Sequence, residues 1–136
     1  MQLNFEILKD KYAIYRFKSD VNIPSWISDS DFYSVTKTKD ELSIVCKQHN
    51  PLANTSDINN DWKILKLKGP LNLSLVGIIA EVSGILKESE ISIFTISTYE
   101  TDYILVKNQD LSKAIDSLKA NGHKVSYENR ASINSN

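Results

Sequence analysis

The chain of 136 residues has a single cysteine, Cys46, which excludes any internal disulfide. Cys46 lies in the apolar run Leu42-Ser43-Ile44-Val45-Cys46, where it reads as a buried strand thiol rather than a reactive one. The only histidines are His49 and His123, so no His/Cys cluster has metal-ligand spacing, and neither a metal nor a cofactor is expected. Four glycines and three prolines form neither a phosphate-cradling loop nor a G-x-S-x-G elbow. Charge of one sign is lacking as well. Sixteen basic and seventeen acidic side chains leave a net charge of −1, without the electrostatic footprint of a nucleic-acid or anionic-membrane binder. No apolar run is long enough for a membrane span. The opening MQLNFEILKDK lacks the basic-then-apolar order of a signal peptide, and a cytoplasmic location is expected.

What is present is ordinary globular material, with 41% hydrophobic and 24% charged residues. The length suits one domain, or two small units that share a core.

The second half is the more regular. In WKILKLK (62–68), Leu65 and Leu67 point one way and Lys66 and Lys68 the other, as in a half-buried strand. Gly69-Pro70 ends it. In the following stretch, Leu75, Ile78, Ile79, Val82, Ile85 and Leu86 recur at spacings of three and four, the stripe of an amphipathic helix. Gly77 and Gly84 fall inside that pattern, and each would cost about 1 kcal/mol relative to alanine, which points to close packing or close approach. Residues 91–107, ISIFTISTYETDYILVK, read as a hairpin. Asp110 can then cap a helix with the stripe Leu111, Ala114, Ile115 and Leu118, and Gly122 suits its left-handed C-terminal cap. HKVSYE (123–128) closes the unit as a strand. The order β-α-β-β-α-β predicts a ferredoxin-like arrangement. The polar segment 129–136 reads as a loose tail.

The first half is a weaker version. Leu3–Leu8 and Tyr12–Lys18 read as strands about an Asp10-Lys11 turn, Pro24-Ser25-Trp26-Ile27 as the start of a short helix, and Phe32–Lys37 with Leu42–Lys47 as a second hairpin. Residues 48–61 are turn-rich and read as a connector. VTKTKDELSIVCK (35–47) and ISTYETDYILVK (96–107) each cross hydroxyls, meet an acid and enter an apolar strand that ends in lysine, with lengths that differ by one. Their positions in the two halves suggest a degenerate duplication.

The corner Ser97-Thr98-Tyr99-Glu100-Thr101-Asp102 carries the candidate chemistry. Catalysis by Ser97 or Thr98 with Asp102 as base lacks an orienting group nearby in sequence, and the pair Glu100 and Asp102 is common in plain turns. As a turn, the corner needs nothing more than hydroxyls and acids that bond to the local backbone. As a binding site, it offers Asp102 or Glu100 to an ammonium group, with Tyr99 as cover. The loop that leads to the helix, through Asn72, Leu73, Val76 and Gly77, would offer backbone N–H groups to a carboxylate. In the ferredoxin-like order the first and third strands are neighbours, so loop and corner would share one edge of the sheet. Ligand-binding residues are therefore expected among Asn72, Leu73, Val76, Gly77, Ser97, Thr98, Tyr99, Glu100 and Asp102.

Residues 62–107 resemble the ACT domains of aspartate kinase regulatory regions, and more closely the small bacterial tandem-ACT proteins related to the CASTOR arginine sensors. The resemblance rests on Trp62, Gly69-Pro70, Gly77-Ile78, Ile91-Ser92-Ile93-Phe94, Ser97-Thr98-Tyr99, Thr101-Asp102-Tyr103 and Leu105-Val106. Pro24-Ser25-Trp26 and Asp40–Cys46 extend it into the first half. It implies an α+β protein of two packed ferredoxin-like ACT units. The first, degenerate unit spans 1–60, the second spans 61–128, and 129–136 form a tail. It also implies a non-catalytic regulator that binds a free amino acid or similar small ligand at a sheet edge, pairs as a homodimer, and acts alone or on a regulated enzyme. Asp102 would hold the ligand's polar or cationic group, and Thr98 and Tyr99 would form its wall. The alternative is a ligand-free interaction module that mediates oligomerisation.

Overall fold

Leu65 and Leu67 are buried, Lys66 is half-buried and Lys68 is exposed, as the alternation requires. The computed structural model, which describes residues 2–48, 54–68 and 77–128, is α+β, as the sequence predicts. Its strands are β1 (Asn4–Ile7), β2 (Tyr12–Phe17), β3 (Ser34–Lys37), β4 (Leu42–Lys47), β5 (Ile58–Leu67), β6 (Ile93–Ser97), β7 (Asp102–Lys107) and β8 (Lys124–Tyr127). Helix α1 is Ile78–Glu88 and α2 is Leu111–Ala120, and 3-10 turns cover Ser25–Asp29 and Asn108–Asp110. No helix among the described residues is long and apolar enough to cross a membrane.

Two compact units emerge. One is drawn from the described residues of Met1–Lys9 and Lys63–Asn136, the other from those of Asp10–Trp62. A boundary at 60/61 would fall inside β5, whose first residues serve one unit and whose last residues serve the other. The reason is strand pairing. β1 does not form a hairpin with β2. It runs antiparallel to the C-terminal part of β5 (Phe5↔Leu67, Ile7↔Leu65) and parallel to β8 (Asn4↔Lys124, Ile7↔Tyr127). β2 runs antiparallel to the N-terminal part of β5 (Tyr12↔Trp62, Tyr15↔Ile58).

In the larger unit the strand order is β6-β7-β5-β1-β8. The first and third strands of the β-α-β-β-α-β order, β5 and β7, are neighbours, as expected. The N-terminal β1 lies between β5 and the closing strand β8. The core joins Phe5, Ile7, Leu65, Leu67, Ile104 and Val106 of the strands to Ile78, Val82 and Leu86 of α1 and Ala114 and Leu118 of α2. Each such aliphatic side chain, fully buried, contributes roughly 1.5–3 kcal/mol.

α1 starts later than the apolar stripe suggests. Gly77 is not inside the helix but immediately before it, with φ +86°, and its carbonyl accepts the first helical hydrogen bond, from Glu81 N–H at 2.8 Å. The glycine answers a backbone need, since a β-carbon at that φ is strained. Gly122 has φ +87° after α2, where His123 N–H donates to Leu118 O and Gly122 N–H to Lys119 O, the paired bonds of a Schellman cap. The same cap closes α1, with Ile91 N–H to Leu86 O and Glu90 N–H to Lys87 O, but the left-handed residue is Glu90, φ 58°. Asp110 precedes α2 as expected but makes no capping bond through its side chain.

The smaller unit has the order β3-β4-β2-β5. Its core gathers Ala13, Tyr15, Phe17, Ile27, Leu42, Ile44 and Cys46. Tyr15 stacks on Phe17 and meets Trp26 edge-on at 5.5 Å. Where the larger unit has α1, this one has only the 3-10 turn Ser25–Asp29 among its described residues. The connector reading of 48–61 holds only in part, because β5 already begins at Ile58 and reaches back to pair with Tyr15. Asp61, φ 68°, takes up the register shift in that pairing, and the Gln48 amide holds it, with Asp61 N–H donating to Gln48 Oε1 at 2.8 Å.

Candidate functional site

The corner between β6 and β7 is a four-residue loop, Thr98-Tyr99-Glu100-Thr101, closed by Thr98 N–H to Thr101 O at 2.8 Å. The Thr98 hydroxyl accepts from Thr101 N–H at 3.3 Å and satisfies a donor that the loop would otherwise leave open. Thr101 is buried, and its hydroxyl donates to Leu67 O at 2.7 Å. That bond fixes the corner to the last residue of β5, the strand that leads towards Gly77 and α1.

Ser97 and Asp102 are cross-strand partners, and Ser97 Oγ donates to Asp102 Oδ1 at 2.5 Å. Side chains two apart on a strand share a face. Asp102 therefore lies on the face of Ile104 and Val106, the one packed against α1 and α2. Asp102 is half-buried, Glu100 is exposed, and Tyr99 stands 96% exposed at the tip. Ser97, Thr98, Tyr99, Glu100 and Asp102 are thus brought together in one hairpin. Gly77 precedes α1, and Asn72, Leu73 and Val76 lie outside the described residues. Thr101, the anchor, is missing from the sequence-based selection. Its signal was a β-branched hydroxyl directly before a strand, which alone does not name a partner.

His123, the one described histidine, does not orient this pair. It precedes β8, three strand spacings or about 14 Å from β7. It is buried, and Nδ1 accepts from Leu3 N–H at 3.0 Å. Nε2 therefore carries the proton and faces Glu81 Oε2 at 3.3 Å. The hydroxyl–carboxylate pair thus has no imidazole, among the described residues, as the third member of an activated-nucleophile arrangement. Among the described residues, no group of three or more His, Cys, Asp or Glu side chains could hold a metal. Cys46 is buried, as its strand position predicts, and burial pushes its thiol up to about 11.

The smaller unit repeats the corner without a carboxylate at the place of Asp102. Thr38-Lys39-Asp40-Glu41 joins β3 to β4, with Thr38 N–H to Glu41 O at 2.9 Å and Glu41 N–H to Thr38 Oγ1 at 3.1 Å. The offset is constant, since 98 − 38 and 107 − 47 both equal 60, and the one-residue difference in length disappears. At that offset Lys37 takes the place of Ser97, and the core residue Leu42 that of Asp102.

The geometry defines an α+β sheet with an anchored polar hairpin, and comparison with known proteins gives its relatives. The model of the ACT domain matches residues 57–120, and a second model, of an N-terminal domain, matches residues 10–51. A crystal structure of an Agobacterium tumefaciens protein is 33% identical, covers 96% of both chains and superposes with a TM-score of 0.87. The Bos taurus cytosolic arginine sensor for mTORC1 subunit 1 is 29% identical over 97 residues, 64% of this chain and 30% of the sensor's length. The aspartate kinase of Clostridium acetobutylicum shares the fold at 17% identity and a TM-score of 0.61, over 84% of this chain and 33% of the kinase. Residues 57–120 thus match the ACT domain, the chain is similar to the arginine-sensor subunits, and it shares its fold with the regulatory domains of aspartate kinases.

Proposed function

We propose that the protein is a non-catalytic regulatory module that binds a free amino acid at the β6–β7 corner. The carrying observation is the Asp102 carboxylate, half-buried at the edge of the core, fixed by Ser97 Oγ, in a loop anchored to β5 through Thr101. A carboxylate held in this way can accept a charge-assisted hydrogen bond from a cation without first losing rotamer freedom. Tyr99, exposed beside it, supplies a face to cover the ligand's side chain. The segment through Asn72, Leu73 and Val76 to Gly77 would receive the ligand's main-chain carboxylate. Arginine is the first ligand to test, because the bovine relative is named as an arginine sensor. One site per chain is the stoichiometry, since the equivalent hairpin carries the core residue Leu42 at the place of Asp102. In the cytoplasm, as a homodimer or bound to a regulated enzyme, the chain would respond only through a difference in ligand affinity between two states.

Thermal unfolding in the presence of each of the twenty amino acids tests the reading. A ligand at 100 times its Kd stabilises by roughly 2.7 kcal/mol. Stabilisation by a cationic amino acid, cut to about half or less in Asp102→Asn, supports it, whereas no shift with any of the twenty at millimolar concentration refutes it.

The 96% exposure of Tyr99 favours a second reading, in which the tip docks on another protein surface and no ligand is involved. Under that reading Tyr99→Ala lowers the oligomeric state and Asp102→Asn leaves it unchanged.

A further inference from the structure

Three lysines of the larger unit line one groove, whose row runs from the end of β5 across β1 to β8. Lys68 N–H donates to Asn4 O at 2.9 Å, and Asn4 pairs in turn with Lys124. Lys68, Asn4 and Lys124 thus form one row across β5, β1 and β8, with side chains on one face and the lysine backbones about 10 Å apart. Lys119, from the last turn of α2 on the helix-covered side of the sheet, lines the same groove. The groove holds about 660 Å³, within the range of small-ligand sites. Ser126 adds a hydroxyl, and Phe5 and His123 complete much of the wall.

The neighbouring row shows what is unusual here. It runs Lys66–Glu6–Ser126, so an acid sits beside the lysine. In the Lys68–Asn4–Lys124 row a neutral amide takes that place, and no acidic side chain is among the described lining of the groove. The ion pairs Lys11–Asp61 and Arg16–Asp57 and the His123–Glu81 contact involve none of these lysines. Three like charges around one concavity repel; Glu6, the acid of the next row on that face, stands beside Lys66, and an external anion in the groove would relieve the three. Ammonium, amide and hydroxyl groups all donate, and ammonium groups act as point charges suited to phosphate oxygens.

We propose that this groove is a second binding site, for a small dianion that presents a phosphate group or a pair of carboxylates. It stands independently of the amino-acid site. The test is thermal unfolding and backbone amide NMR with inorganic phosphate or succinate, each against sodium chloride of equal ionic strength. At a tenfold excess over Kd the midpoint rises by about 5 °C. The amide signals of Asn4, Lys124 and Ser126 move, and those of Thr98, Tyr99 and Glu100 do not; Lys68 and Thr101, joined through the Leu67 carbonyl, are left out of the comparison. Phosphate stronger than succinate assigns the site to phosphate-bearing ligands, and the reverse order assigns it to dicarboxylates. The effect is lost in the double variant Lys68→Gln/Lys124→Gln and kept in Lys39→Gln/Lys47→Gln, which removes the same charge from the other unit. Equal responses to chloride and to both dianions, or an undiminished response in Lys68→Gln/Lys124→Gln, overturn the proposal.

Discussion

Thr101 donates its hydroxyl to the carbonyl of Leu67 across 34 positions of sequence, in a buried bond of 2.7 Å. The polar hairpin therefore cannot move independently of the strand that leads towards α1. Thr101→Val keeps the shape and leaves the Leu67 carbonyl unsatisfied, which should cost about 1–3 kcal/mol. Thr101→Ser should recover most of that loss. Urea denaturation of both variants measures it, and amino-acid binding should weaken in the valine variant alone.

Asp102→Asn keeps an acceptor for Ser97 Oγ and removes the charge. Stability should change by less than about 1 kcal/mol, while affinity for a cationic amino acid falls by roughly 10–100-fold, the worth of a hydrogen bond to a charged group. Titration calorimetry should give one ligand per chain in the unaltered protein. A second site cannot be installed simply, because Leu42→Asp would bury an unpaired charge in the core of the smaller unit.

The two helix ends make an internal comparison. Gly122 and Glu90 occupy the same left-handed position after α2 and α1. Glu90→Gly should stabilise by about 0.5–1 kcal/mol, and Gly122→Ala should destabilise by about 1 kcal/mol or more. Opposite signs in thermal denaturation would check that both caps have the same geometry.

Cys46 gives the pH dependence. Its thiol rises from an ordinary 9.0 to about 11 in the folded chain, because burial disfavours the thiolate. Between those values the folded state binds the extra proton, so stability falls as pH rises. The contribution is complete below pH 9 and lost as pH passes 11. Cys46→Ala should flatten that decline, and the native thiol should react with a thiol reagent at pH 8 only as fast as the chain opens.

Much of the larger unit is legible in its residues. The alternation of Leu65 and Leu67 with Lys66 and Lys68 sets the strand, the stripe Ile78-Val82-Leu86 sets α1, and Gly122 ends α2. The start of α1 is not legible, because leucines upstream of Gly77 continue the apolar periodicity past the true N-terminus. The place of β1 is not legible either, since NFEI signals a strand but its partners lie about sixty and one hundred and twenty positions away. At the corner, the hydroxyls and acids stand out in the sequence as a polar cluster. The bond that anchors it does not, because its acceptor is a backbone carbonyl that any residue could supply. The duplication becomes clear only once both turns are fixed, when the Thr38 and Thr98 loops align without a gap.

β5 carries one last implication, for protein engineering. The smaller unit leaves the larger one after Lys9 and returns at Lys63, where Leu8 N–H donates to Ile64 O at 2.9 Å and Lys63 Nζ to Lys9 O at 3.1 Å. Those two chain ends already face each other as the last rung of an antiparallel ladder. A two-residue Asn-Gly turn would splice them with no change of register. The smaller unit lies in the sequence between the two sides of a hairpin tip, the kind of site at which domain insertions are tolerated.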